Sequence, residues 1–183
     1  DYRGNAGPDT FTGGSKDDLL VGGAGADTLS GAGGNDTVSY ADSLGSVTVN
    51  LLAGTGIGGD AQDDVLDTIE NIIGSAGDDE LTGDGNANIL KGGAGADTVD
   101  GGAGADTASY AGSDAAVTVS LDGALGIGGH AQDDTLANIE NLIGSDFADI
   151  LTGDDGDNVI EGGKGADTLT AGAGVDTVSY AGA

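Results

Sequence analysis

Cysteine, methionine and tryptophan are absent from this 183-residue chain, and proline occurs once. Without cysteine no disulfide can staple the fold, and no thiolate is available as nucleophile or soft-metal ligand. Four Lys and Arg stand against 32 Asp and Glu, a formal charge of −28, so no basic face for nucleic acid can be built. No apolar run approaches the roughly 18 residues that a membrane-spanning helix needs. Aromatic residues make up 3% of the chain, while 39 residues are glycine. Ordering a chain costs roughly 1.5 kcal/mol per residue, and glycine sits at the expensive end of backbone entropy. So few large apolar side chains cannot offset that alone, and the acids repel one another. Divalent cations that bind only the folded form would correct both deficits.

What is present is a clock. A nine-residue phrase close to Gly-Gly-x-Gly-x-Asp-x-apolar-x occurs twelve times. Gly22 to Ser30, Gly92 to Asp100 and Gly162 to Thr170 are clean copies. Glycine at positive φ lets six residues turn tightly with carbonyls aimed inward, and Gly25, Gly95 and Gly165 hold the fourth place in these copies. The sixth residue supplies a hard anionic oxygen, and carbonyls with carboxylates suit Ca²⁺. The last three residues form a short strand whose middle side chain points away from its neighbours. Those middle residues are Phe11, Leu20, Leu29, Val38, Leu81, Leu90, Val99, Ala108, Leu151, Ile160, Leu169 and Val178.

A longer period overlies the short one. Gly4, Gly74 and Gly144 open three blocks, 4–39, 74–109 and 144–179, separated by spacers 40–73 and 110–143 that are copies of each other. Self-similarity at fixed periods signals stacked units whose faces need neighbours. Within the spacers, Val47 to Leu51 and Val117 to Leu121 alternate as half-buried strands do. The stretches 58–66 and 128–136 are nearly nonapeptides, which makes Asp63 and Asp133 candidate sixth-position acids. Convincing helical periodicity is missing. Leu19, Ile89 and Val159 are apolar on the outward side of their strands, so each is either covered by a spacer strand or simply exposed. Tyr40, Tyr110 and Tyr180 follow the blocks in identical register and are expected to cap the apolar row. Lys16, Asn86 and Phe147 replace fourth-position glycines; a non-glycine at positive φ is strained, least so for Asn, so the turns at Lys16 and Phe147 are expected to deviate or bind weakly. His130, the only histidine, has Asp60 as its counterpart one long period earlier, so imidazole is not required there. No Ser-His-Asp set or phosphate loop is present, so the chain is not expected to be an enzyme.

The phrase resembles the repeats-in-toxin (RTX) nonapeptide of secreted Gram-negative bacterial proteins, and the resemblance covers nearly the whole chain. It implies an all-β fold, a right-handed parallel β-roll with two repeats per coil, with the spacers as β-rich additions. It also implies that each ion sits between turns two repeats apart. The expected pairs are Asp9 with Asp27, Asp18 with Asp36, Asp79 with Asp97, Asn88 with Asp106, Asp149 with Asp167, and Asn158 with Asp176. These give six Ca²⁺, or more if edge turns and the spacer acids contribute; the neutral Asn88 and Asn158 are expected to hold the ion less tightly. The expected function is calcium-dependent folding of a structural module in a type I-secreted protein, extracellular or at the cell surface, such as an adhesin. The alternative is a carbohydrate-associated accessory module of a secreted enzyme, like those of alginate epimerases or metalloproteases. Beyond calcium, the expected partners are a polysaccharide or a cell surface. The chain is expected to be monomeric and a piece of a larger protein.

Overall fold

The structure, a computed structural model, describes residues 1–180. Strands 18 residues apart pair in parallel: Thr10↔Thr28, Leu19↔Thr37, Glu80↔Thr98 and Ile150↔Thr168. Two nonapeptides therefore complete one coil, and odd and even repeats supply opposite faces of a flattened roll. Each strand of a nonapeptide is only three residues long because the six-residue glycine turn takes the rest of the repeat. The protein is an all-β parallel β-roll.

The even face is continuous. Nine parallel strands run in the order Tyr2–Arg3, Leu19–Val21, Thr37–Ser39, Asn71–Ile73, Ile89–Lys91, Thr107–Ser109, Asn141–Ile143, Val159–Glu161 and Thr177–Ser179. Each spacer thus adds one strand to this face through its Ile-Glu-Asn segment. Between the faces runs a single apolar row. Leu20, Leu29, Val38, Leu81, Leu90, Val99, Ala108, Leu151 and Ile160 are buried, as the middle position of each strand requires. Toward the ends of the described residues the row is less covered: Phe11 and Leu169 are half-buried and Val178 is exposed. Tyr2 and Phe11 close the first end with ring centroids 5.8 Å apart.

The odd face takes the spacers differently. Thr48–Asn50 runs ahead to pair with Glu80–Thr82 of the next block. The chain then turns back through antiparallel Thr55–Ile57 before Val65–Asp67 pairs with Thr28–Ser30 of the previous block. In the second spacer the return leg makes a single antiparallel bridge, Thr118↔Ile127, and the odd face divides there into sheets of eight and three strands. The alternating valines Val47, Val49, Val117 and Val119 are buried, since their strands sit in the sheet and extend the core. They do not lie over the outer face. Ile89 and Val159 stay 42% and 47% exposed, so the bare reading holds for these two, while Leu19 is half-buried.

The near-nonapeptides fold one residue out of the frame expected for them. A 3₁₀ turn, Gly59–Ala61 or Gly129–Ala131, precedes each strand. The inward residue of the first strand is Leu66, at 6% exposure, while Val65 is 52% exposed. Counting back from Leu66 makes Asp64 the sixth-position acid rather than Asp63, and likewise Asp134 rather than Asp133. Asp63 and Asp133 instead occupy left-handed backbone at φ 66° and 68°.

Truncating the apolar row tests this packing. Leu90→Ala is expected to cost about 2–5 kcal/mol. Leu52→Ala, at a side chain 76% exposed, is expected to stay within about 0.5 kcal/mol. Denaturant unfolding in saturating Ca²⁺ measures both, and equal losses would contradict the placement of the core.

Candidate metal centre

Along each edge of the roll the turns are joined by one repeated contact. The backbone N–H of a sixth-position residue donates to Oδ1 of the acid two repeats on. Asp9 donates to Asp27, Asp18 to Asp36 and Asp79 to Asp97, at 2.8, 2.8 and 2.9 Å. Asn88 donates to Asp106, Asp149 to Asp167 and Asn158 to Asp176, at 2.8, 3.0 and 3.0 Å. All six pairs that the resemblance implies are therefore brought together, through main chain on one side and side chain on the other.

The two members of each pair differ. In first and second repeats the acid also closes its own turn. Asp9 accepts from Asn5 N–H, Asp18 from Gly14 N–H and Asp149 from Ser145 N–H, at 3.0, 2.8 and 2.6 Å. Asn88 and Asn158 do the same with Asp84 and Asp154 N–H. In third and fourth repeats that second bond is missing. Oδ2 of Asp27, Asp36, Asp97, Asp106 and Asp167 is buried and has no hydrogen-bond partner. An ionised oxygen left so costs far more than a satisfied one. A cation placed there could meet that demand.

Backbone conformation divides the repeats in the same way. Positive φ occurs at the second and fourth places of third repeats, as at Gly93 (φ 114°) and Gly95 (φ 126°), and not in the first and second repeats. Lys16, Asn86 and Phe147 lie in those earlier repeats and have no positive φ, so the strain expected there does not arise. The turns at Gly25, Gly95 and Gly165 press against carbonyls of the turn two repeats before. A Cβ on Gly95 would stand 2.6 Å from the Gly77 oxygen, and one on Gly25 would stand 2.8 Å from that of Gly7. Among the described residues no three of His, Cys, Asp and Glu converge on one point. The available donors are thus main-chain carbonyls and carboxylate oxygens, a hard set that fits Ca²⁺ and suits thiophilic metals poorly.

The rungs continue into the spacers through residues the nine-residue clock does not mark. Asp27 N–H donates to Asp64 Oδ1 and Asp97 N–H to Asp134 Oδ1, both at 2.8 Å. Asp36 N–H donates to Glu70 and Asp106 N–H to Glu140, at 2.7 and 2.8 Å. On the far side of each spacer, Val47 and Val117 N–H donate to Asp79 and Asp149. The available signal for Asp64 and Asp134 was the duplicated Asp-Asp pair, and for Glu70 and Glu140 the duplicated Ile-Glu-Asn. At the 3₁₀ turns, Asp60 and His130 hold equivalent places through main chain, each N–H donating 3.0 Å to Oγ of Ser43 or Ser113.

Burial governs the electrostatics. It pushes the Asp97 carboxyl up to about 7, against the Asp79 N–H bond that lowers it and with help from the charges of Asp134, Asp79 and Asp78. Burial also lifts Asp64 and Asp134 to about 6, and raises Asp27 and Asp106. These carboxylates resist ionising unless positive charge is supplied.

Three stretches, residues 3–38, 73–108 and 143–178, match the profile of the RTX calcium-binding nonapeptide repeat, four copies at a time. They span more than half of the chain. The chain belongs to the RTX family. RTX repeats bind Ca²⁺, so this is a calcium-binding module, and the oxygen donors and orphaned carboxylates described above fit that ion. RTX repeats are typical of secreted proteins, and no helix among the described residues is long and apolar enough to cross a membrane. No curated protein matches the chain.

Two outcomes follow from this geometry. Asp97→Ala removes a charged acceptor from a buried rung and is expected to raise the Ca²⁺ midpoint of folding about tenfold. His130→Asp, which restores the residue found at position 60, is expected to move it less than about twofold. Equal shifts in calcium titrations of the two variants would contradict the ranking. The second concerns pH. In the RTX fold without metal, Asp97, Asp64 and Asp134 have folded values raised above the ordinary 3.8. The folded state then binds more protons than the unfolded one, and stability falls as pH rises from about 4 through about 7. In chelator, β signal by circular dichroism is expected to grow on acidification from about pH 8 to about pH 5; a flat or opposite profile would count against buried carboxylates at these positions.

Proposed function

We propose that this chain is a structural module whose folding is switched by calcium, within a type I-secreted protein that acts outside the cell or on its surface, such as an adhesin. The ligands are the paired residues Asp9/Asp27, Asp18/Asp36, Asp79/Asp97, Asn88/Asp106, Asp149/Asp167 and Asn158/Asp176, together with turn carbonyls. That makes six ions, two per block. Asp63 and Asp133, off the rungs, have no part in these six. Bound Ca²⁺ supplies the positive charge that the orphaned oxygens require. The chain's own residues do the rest: glycines admit the carbonyls, N–H groups orient the carboxylates, and the apolar row sets the spacing between coils.

The observation that supports this reading is the row of buried, unpartnered Oδ2 atoms on Asp27, Asp36, Asp97, Asp106 and Asp167. Without cations these charges and a net −28 oppose folding; with them the same acids hold successive coils together. A switch of this kind matches export, since a chain kept unfolded in calcium-poor cytosol folds only after release. In circular dichroism the chain in chelator at neutral pH is expected to be disordered, and to gain β signal cooperatively with a midpoint near 10⁻⁴–10⁻³ M Ca²⁺, the usual range of extracellular modules. A cooperative β-rich fold in excess chelator at pH 7.5 would overturn the proposal.

A further inference from the structure

The rungs at Asp64 and Asp134, beside the spacers, carry the same acid geometry as the rungs within a block, yet their spare oxygens are not left free. Asp64 Oδ1 accepts Asp27 N–H as any rung acid would, and Asp64 Oδ2 accepts the Tyr40 hydroxyl at 2.9 Å. Asp134 and Tyr110 repeat the arrangement at 3.1 Å. Both tyrosines are buried, as are both acids. One rung earlier, Asp27 and Asp97 have the same Oδ2 with no partner at all. Tyr180, in the same register after the third block, is 59% exposed.

Where the chain leaves a spacer, other donors fill the equivalent places. Ser75 Oγ donates to Asp79 Oδ1 at 2.8 Å, and Ser145 Oγ to Asp149 Oδ1 at 2.7 Å. On the opposite edge Asn88 Nδ2 donates 2.8 Å to the Glu70 carbonyl, and Asn158 Nδ2 donates 2.9 Å to that of Glu140. An ionised aspartate there could not donate, which accounts for Asn rather than Asp in the second repeats of the two blocks that follow a spacer.

We infer that proton donors stand in for cations at the spacer rungs, with Tyr40 and Tyr110 neutralising the demand of Asp64 and Asp134, so that each spacer is a metal-free junction between calcium-bound blocks. This rests on the calcium ligands proposed above and adds which acids of the same ladder are withheld from the ion. Its consequence is structural. A junction that needs no ion of its own stays joined to both neighbours, through Asp27–Asp64 on one side and Val47–Asp79 on the other. Calcium entering one block then favours order in the next.

The double variant Tyr40→Phe/Tyr110→Phe tests this, since it keeps the rings in the core and removes only the hydroxyls. Bound Ca²⁺ is counted by native mass spectrometry on the whole chain at saturating Ca²⁺, and thermal unfolding is followed across a calcium series. The parent chain's own count reports on the calcium assignment separately: a parent that binds no ions refutes the proposed function, whatever the variant does. The inference expects the double variant to carry about two ions more than the parent and its melting temperature to climb more steeply with Ca²⁺. Should it fail to fold, adding Asp64→Asn and Asp134→Asn, which removes the charge needing compensation, is expected to restore folding with the parent's ion count. An unchanged count and slope in a folded double variant would overturn the inference. So would a failure to fold that the two asparagines do not rescue.

Discussion

The contact on which the rest depends is the rung between coils: a main-chain N–H of one turn held by Oδ1 of the acid two repeats on. It leaves Asp27, Asp36, Asp97, Asp106 and Asp167 with a second oxygen buried in the turn stack, where a negative charge is costly. Three peculiarities of the chain follow from that demand. Glycine is dense because carbonyls must approach closely from the neighbouring turn. The core is a single narrow row because the edges, rather than the interior, contribute much of the cohesion. The net charge is extreme because the acids are matched to ions that are not part of the polypeptide.

Two ways of meeting the demand coexist in one ladder. In the third and fourth repeats Oδ2 of Asp27, Asp36, Asp97, Asp106 and Asp167 has no hydrogen-bond partner. At the spacers a tyrosine hydroxyl, a serine hydroxyl or an asparagine amide lies within hydrogen-bonding distance. The spacers also reconcile two geometries. On the even face each contributes one strand and the sheet runs through without interruption. On the odd face the chain runs ahead, reverses and returns, so a local antiparallel leg is accommodated within an otherwise parallel roll. Each block is thereby stitched to the next by ladder hydrogen bonds as well as by the shared apolar row.

Much of this was legible in the residues. Strict nine-residue spacing fixes which side chain of each strand points inward, because strand side chains alternate. That two repeats close a coil, and so which six pairs meet, came from the resemblance to the RTX nonapeptide rather than from the spacing alone. Repetition at 70 residues marked the spacers as duplicated units. Alternation in Val47 to Leu51 marked a strand.

What the chain could not reveal by itself lies where the clock stops. Whether Asp63 or Asp64 joins the ladder depends on which of Val65 and Leu66 faces the core, and both are apolar; the 3₁₀ turn before them shifts the frame by one. Outward Ile89 and Val159 could equally have been covered or bare, and the sheet pairing of Thr48–Asn50 decided it. Tyr40 read as an apolar cap, but its hydroxyl finds Asp64 across 24 residues through a reversal of the chain. Local spacing determines contacts that recur with the repeat. Contacts made once per spacer depend on the path of the chain in space, and only the assembled roll settles them.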